Sequence, residues 1–414
     1  MSHTTELKNE SKESVTYLRS PKGIREQCAR ITERVASGES PHFKLEQAKL
    51  DKAAELVIQE FRSNYPDLDV PYHSRWRHFG DERLKMLNEK LSAMDPDSAA
   101  KSRIELAIVS VLLDAGAGPT WRYKDPLTGK SVGRSEGLAL ASFDMFIDGG
   151  FASDPENPLM VDNPALRSIT KRDLEKYFQV TPQNRLLGLD GRLHLLHKLE
   201  HSVSVNKKYF GDIEPRLGNA YDYLVGHAGN NKLPARKVLS VVLEGLGNIW
   251  PGRASLGGVM LGDVWHHAAL PNTDHGHGLV PFHKLSQWLT YSLVEPLEDA
   301  GLEIGGLDEL TGLAEYRNGG LLMDTGVIVA KDSELTSKTH KADSEVIIEW
   351  RALTISLLDE LANVIRGKLG KSAIDLPLAK IMQGGTWSAG RKLAGSLRAD
   401  AEPPIRLASD GTVF

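Results

Sequence analysis

The chain has 414 residues, 41% hydrophobic and 25% charged. That is ordinary globular composition with enough apolar material for a sizeable core, and it excludes a disordered, collagen-like or disulfide-stapled protein. Fifty basic residues against 55 acidic ones leave a net charge of −5, so the basic excess of a dedicated nucleic-acid binder is missing and small molecules are the expected partners. The one cysteine, Cys28, excludes an internal disulfide and any cysteine-built zinc or iron–sulfur site, and it fits a reducing, cytoplasmic setting.

Along the chain, residues 1–16 are polar with almost nothing to bury and read as a disordered tail, with no apolar signal core. From Phe43 to Phe61 the residues Leu45, Ala48, Leu56, Val57 and Phe61 recur at helical spacing, which predicts an amphipathic helix. The same periodicity predicts helices over Ile104–Leu113, Gly137–Ile147, Leu193–Leu199, Arg236–Leu246, His283–Val294 and Val346–Leu369, with a short helical pattern at Leu307–Leu313. Strand is suggested only at Gly320–Val329 and Thr412–Phe414. The longest apolar runs, such as Leu106–Leu113, fall far short of the roughly 20 residues a bilayer span needs, so no membrane partner is expected. The loops at Asp125–Gly133, Asp154–Pro158 and Asn272–Gly278 and the polar stretch Lys331–Asp343 are neither long enough nor biased enough in composition to be linkers. The expectation is one mainly α domain over 17–414 with minor β.

Few motifs carry chemistry by themselves. Gly385–Lys392 resembles a phosphate-binding loop, but Arg391 stands where the lysine belongs and Lys392 where the serine or threonine belongs. Gly116-Ala-Gly118 lacks the third glycine of a dinucleotide site. His266, His267, His275, His277 and His283, with Asp263 and Asp274, crowd one stretch without a metal-ligand spacing such as HExxH. His73 and His78 bracket Arg75, Trp76 and Arg77, a mixture of rings and cations suited to stacking or to structural packing. Glu315-Tyr316-Arg317 precedes the glycine pair Gly319-Gly320, which places Glu315 at a cleft edge. Glu349 and Arg351 lie two apart on one helix, so they cannot share a face and are expected to contact other elements; for this pair and for Glu315 with Arg317, surface ion-pairing is the alternative reading.

Several blocks together resemble the uracil catabolism protein 4 family. They are Tyr17-Leu-Arg-Ser20, Pro71-Tyr-His-Ser-Arg-Trp-Arg-His-Phe79, Asp114-Ala-Gly-Ala-Gly118, Gly133-Arg-Ser-Glu-Gly137, Val280–Trp288 and Ser409–Phe414. That likeness runs the length of the chain and implies a role in a uracil-degrading route that passes through ribosylurea. A second block is similar to the queuosine-salvage nucleotide N-glycosidases: Phe282-His-Lys284-Leu-Ser-Gln287, then Leu307–Arg317, then Thr325-Gly-Val-Ile328. Lys284, Gln287, Tyr316 and Arg317 match that family's motifs, Glu315 takes the place of its catalytic aspartate with one more methylene, and Glu349-Trp-Arg351 answers its Glu-Ile-Arg. The Val-Pro-Gln that follows in those enzymes is replaced by Asn318-Gly319-Gly320.

This second resemblance covers roughly half the chain. It implies a DNA-glycosylase-like helical fold and an N-glycosidase that hydrolyses the ribosyl C–N bond of ribosylurea or its 5′-phosphate. Breaking such a bond needs an anion near the anomeric carbon and a proton for the departing nitrogen. Glu315 is the expected anion, with the Arg317 guanidinium holding it ionised, and Glu136, Asp114 and Glu349 are candidates for the second acid. Lys284, Gln287, Tyr316, Glu349, Arg351, His283 and Trp288 are the expected substrate contacts, with Lys284 suited to a phosphate and Gln287 to a ureido group or ribose hydroxyls. Neither a metal nor a cofactor is implied. The alternatives are a metal-dependent amidohydrolase built on His266–His283 and a nucleotide- or nucleic-acid-binding module, which the negative charge disfavours.

Overall fold

Ser20 caps the first long helix: its side chain accepts from Gly23 N, and Pro21, with its φ already helical, takes the first position. The computed structural model describes residues 11–114, 116–250, 254–272 and 274–408. Its main elements are α1 (Pro21–Ala36), β1 (Phe43–Leu45), α2 (Leu50–Asn64), α3 (Pro96–Leu112), α4 (Arg134–Ile147), β2 (Val264–His266), β3 (Leu279–Pro281), α5 (Lys284–Asp299), α6 (Tyr316–Asp324), β4 (Ile328–Ala330), α7 (Glu345–Leu369) and α8 (Trp387–Leu397). The protein is mainly helical, and its strands, two or three residues long, pair only in twos among the described residues. No helix among those residues is long and apolar enough to cross a membrane.

Where the sequence suggests one domain, the chain forms two compact units, each built from separated segments. The first takes the described residues of Met1–His73, Gly252–Gln287 and Gly306–Ser409, and the second those of Ser74–Pro251 and Trp288–Gly305. In the first unit α7 is the central helix, buried through most of its 25 residues and packed by α1, α2 and α6. β1 pairs antiparallel with β4, Phe43 opposite Ala330, and β2 pairs with β3, Val264 opposite Pro281. In the second unit α3 packs on α4. Asp95 caps α3 by accepting from Ser98 N, and Pro96 follows at the first helical position.

Several expectations need correction. Phe43–Leu45 is a strand rather than the first turn of a helix, because its partner at 328–330 outweighs the local periodicity. Residues 11–18 are helical, with Val15 and Tyr17 packed against the buried group Leu18, Leu261, Val264 and Leu279, so 11–16 are no tail. Residues 1–10 and the suggested strand at 412–414 lie outside the described residues. Gly320–Asp324 belongs to α6, which leaves only Ile328–Ala330 as strand. Gly385–Lys392 runs from a π-helical turn, Met382–Thr386, into α8, with none of the strand–loop–helix form of a phosphate loop.

The glycine pair also has a different task from the cleft edge its composition suggests. Gly319 sits inside α6, where a β-carbon would stand 2.7 Å from Thr354 Oγ1 and 2.8 Å from Trp350 Nε1, so glycine allows α6 to lie against α7. Gly319→Ala is therefore expected to destabilise the fold by about 1–3 kcal/mol, the overpacking cost exceeding the better helix propensity of alanine. Denaturant unfolding measures it, and an unchanged midpoint contradicts it.

Candidate active site

Glu315 is the residue just before α6, with extended backbone angles (φ −118°, ψ 161°). Its Oε2 accepts from Arg317 N at 2.9 Å and its Oε1 from Asn318 N at 2.7 Å. The first turn of a helix leaves such N–H groups without intrahelical partners and carries a partial positive charge, so both oxygens are oriented by backbone alone. The arrangement is tied down further. Asn318 Nδ2 donates to Leu313 O at 3.2 Å, and Thr386 of the π-helical turn donates to Asn318 Oδ1 at 2.8 Å. The side chain is 7% exposed. Burial raises the Glu315 pKa above its ordinary value, opposed by the Arg317 N–H, the Lys284 charge, the Asn318 N–H and, last, the Arg317 charge.

Arg317 therefore acts on Glu315 mainly through its backbone. Its guanidinium donates to Ala401 O at 2.9 Å and lies over the Tyr316 ring, 4.9 Å from the centroid. Tyr316 is half-buried beside it.

Lys284 and Gln287 stand one helical turn apart at the start of α5, which places them on one face of the helix. The Lys284 ammonium acts on two groups of the first unit, favouring the charged form of Glu315 and disfavouring that of His73. His73 Nδ1 lies 3.1 Å from Gln383 Oε1, and Gln383 Nε2 donates to Tyr65 OH at 3.1 Å, so the proton of the neutral ring belongs on Nδ1. Burial, with Lys284, pushes the His73 pKa down to about 4. Gln287 is fully buried, and neither its amide oxygen nor its amide nitrogen has a hydrogen-bond partner. A buried amide with both ends empty costs free energy unless something fills it, which marks Gln287 as a ligand-facing residue.

The start of α5 is held by a charge pair that the sequence reading missed. Arg351 Nη1 and Nη2 donate to Asp263 Oδ1 and Oδ2, both at 2.8 Å; Trp265 Nε1 donates to Oδ1 at 2.7 Å and Lys284 N to Oδ2 at 3.0 Å. Burial alone would raise the Asp263 pKa, but the Arg351 guanidinium and these hydrogen bonds hold it well below the usual carboxylate range. Arg351 also donates to Ala314 O at 3.3 Å, next to Glu315, and lies 4.1 Å from the Phe282 ring centroid. Arg351 is thus a brace joining α7, the start of α5 and the Glu315 segment. The signal for Asp263 was limited: it entered the sequence reading only as a metal-ligand candidate.

Glu349, on the other side of α7 as its spacing from Arg351 requires, enters a separate cluster. Ser40 Oγ donates to its Oε2 at 2.6 Å, His42 Nδ1 lies 3.2 Å from Oε2, and His267 Nε2 lies 3.4 Å from Oε1. Burial is outweighed by hydrogen bonds from His267, His42 and Ser40, which hold the Glu349 pKa down to about 2. These contacts favour the ionised form of Glu349.

The other histidines of the 266–283 stretch disperse. His283 is buried, with Nε2 2.9 Å from Leu18 O, and burial pushes its pKa down to about 4. His277 Nε2 lies 3.1 Å from Ser14 Oγ, and Asp274 pairs with Arg30. Among the described residues no three His, Cys, Asp or Glu side chains are grouped to hold a metal. Asp114, Glu136 and Trp288 fall in the second unit, where Asp114 and Glu136 act on Arg75 and Trp288 lies under its guanidinium.

The comparisons with known proteins agree over the whole length. The chain is 37% identical to "Uracil catabolism protein 4" of Lachancea kluyveri, covering 97% of this chain and 99% of that protein. It is 35% identical to "Protein urg3" of Schizosaccharomyces pombe, covering 98% of this chain and all of that protein. The family described as protein of unknown function DUF1688 matches residues 17–414, and the chain belongs to that family.

Proposed function

We propose that the protein is an N-glycosidase of uracil catabolism that hydrolyses the ribosyl C–N bond of ribosylurea or its 5′-phosphate. The observation that carries this reading is the Glu315 carboxylate, buried and oriented by two backbone N–H groups. In the reaction the C–N bond breaks with its electron pair going to nitrogen, water adds to the anomeric carbon, one of the water's protons passes to the urea nitrogen and the other stays on the new anomeric hydroxyl. Positive charge builds on the ribose ring in the transition state, and a fixed carboxylate in a water-poor site stabilises it at no reorganisation cost. The unfilled amide of Gln287 supplies a donor and an acceptor for the ureido group or ribose hydroxyls. The name of the Lachancea relative supports the metabolic setting.

Catalysis by the Glu315 anion places the acid limb of the pH–rate profile above the ordinary glutamate pKa of about 4.3, since burial raises this group. Lys284→Ala removes a charge that favours the anion, so the limb moves to higher pH. In the same variant the dissociation constant for the 5′-phosphorylated substrate rises about tenfold or more while that for the free ribosylurea changes little, because an ammonium bonds phosphate more strongly than it bonds a hydroxyl. Urea release from the two substrates across pH tests both effects. A limb that stays in place or moves to lower pH argues against Glu315 as the anion, and equal losses for both substrates remove the phosphate role of Lys284.

A further inference from the structure

We propose that the Arg75–Asp114 pair of the second unit is a binding site for a planar group that presents a carbonyl oxygen beside an N–H, the edge shared by an open ureide and a pyrimidine-dione ring. Arg75 is completely buried. Its Nε donates to Ser110 Oγ at 2.7 Å, and its Nη1 reaches Ser135 Oγ at 3.2 Å, Ser135 O at 3.3 Å and Asp114 Oδ2 at 3.3 Å. Its Nη2, equally buried, has no hydrogen-bond partner. A guanidinium carries its donors in a fixed planar fork, so the vacant donor lies beside the one that meets Asp114. Asp114 accepts from Ser135 Oγ at 2.6 Å through the same Oδ2, and no partner of its Oδ1 is found among the described residues. A vacant donor thus stands next to a carboxylate with acceptor capacity to spare.

The surroundings favour a neutral ligand over an anion. Arg75 and Arg192 bring two positive charges, Asp114 and Glu136 two negative ones, so these four groups carry no net charge to favour a phosphate or a carboxylate. It does have a directional pair of hydrogen-bonding groups. The frame is rigid: Arg192 is buried and donates to Leu113 O at 2.9 Å and Gly116 O at 3.5 Å, bracketing Asp114. Ser110 Oγ, which orients Arg75, is 2.7 Å from Ser142 Oγ. The guanidinium also lies over Trp288, 5.6 Å from the ring centroid. Polar groups held this firmly and left unpaired reject a ligand that lacks the matching edge far more than an apolar pocket rejects a wrong shape.

In naming a ureide the proposal rests on the function proposed above; the pyrimidine-dione does not. The test uses full-length Glu315→Gln protein, so that no probe is consumed, and titrates N-ribosylurea, uracil and 1,3-dimethyluracil by calorimetry or ligand-observed NMR. The dimethyl compound keeps both carbonyls and has no N–H. The expected result is binding of N-ribosylurea, uracil or both, with 1,3-dimethyluracil at least tenfold weaker than uracil. Arg75→Lys and Asp114→Asn each weaken the bound probe at least tenfold. Ser135→Ala, a milder change that leaves both partners in place, weakens it severalfold, so the proposal stays testable if the buried variants misfold. No binding of either probe, undiminished affinity in the folded variants, or equal binding of the dimethyl compound overturns the proposal. None of these outcomes bears on whether Glu315 cleaves the C–N bond, which turnover measures separately.

Discussion

On the proposed function, Glu315→Gln is expected to lower turnover of ribosylurea by about a thousandfold or more while the protein stays folded. Glutamine keeps the volume and one acceptor for the first turn of α6, but its amide nitrogen faces an N–H donor, so one of the two bonds at Arg317 N and Asn318 N is lost. That costs about 1 kcal/mol, and removing a buried charge works in the opposite direction. The loss in the transition state is larger, because an oriented carboxylate facing a developing cation in a water-poor site contributes about 4 kcal/mol, or roughly three powers of ten in rate. Circular dichroism and thermal unfolding check the fold, and urea release checks turnover. Near-normal turnover by the folded variant removes Glu315 from the mechanism.

The second large effect falls on stability. Asp263→Ala takes the bidentate acceptor from the buried Arg351 guanidinium and removes the bonds that Lys284 N and Trp265 Nε1 make to the same carboxylate. Breaking one side of a buried pair costs about 3–5 kcal/mol, more than the pair contributes relative to an apolar replacement. An Asp263→Leu/Arg351→Met double variant should therefore be more stable than Asp263→Ala alone. The pH dependence has a definite sign. The native pKa of Asp263 is depressed, so its contribution is fully present above the unfolded value of about 3.9 and is lost as pH falls toward the native value. Denaturant unfolding at pH 7 and at acid pH should find the gap between wild type and Asp263→Asn narrowing as pH drops. A gap that is constant or widens contradicts the assignment.

The helices that bury most of their turns were legible from spacing. Ile104–Leu113 and Val346–Leu369 read as helices because their apolar residues leave no other way to be covered; the first lies in α3 up to Leu112, with Leu113 as the C-cap, and the second lies within α7. Phe43–Leu45 was not, since its strand identity comes from Ile328–Ala330, far along the chain. The interleaved units were hidden for the same reason: each is assembled from segments that no composition shift separates. At the candidate site, the two-residue spacing of Glu349 and Arg351 correctly implied separate partners, but Asp263, Ser40 and His42 are fixed only by packing. Glu315 stood out through the Glu-Tyr-Arg resemblance. Its capping geometry did not, because Leu307–Leu313 looks helical, whereas only Leu307–Glu309 forms a short 3₁₀ turn before the chain extends into Glu315.

The fate of the ribosyl C–N bond tests the central claim most directly. Ribosylurea labelled with carbon-13 at the anomeric carbon, incubated with the wild-type chain and followed by NMR, should lose its nitrogen-bonded anomeric signal and gain the signals of free ribose. One equivalent of urea should accompany each ribose, and the Glu315→Gln protein should leave the spectrum unchanged. Release of ammonia or of carbon dioxide from the ureido group while the anomeric signal stays nitrogen-bonded, or no change with the free or the 5′-phosphorylated substrate, would contradict the account.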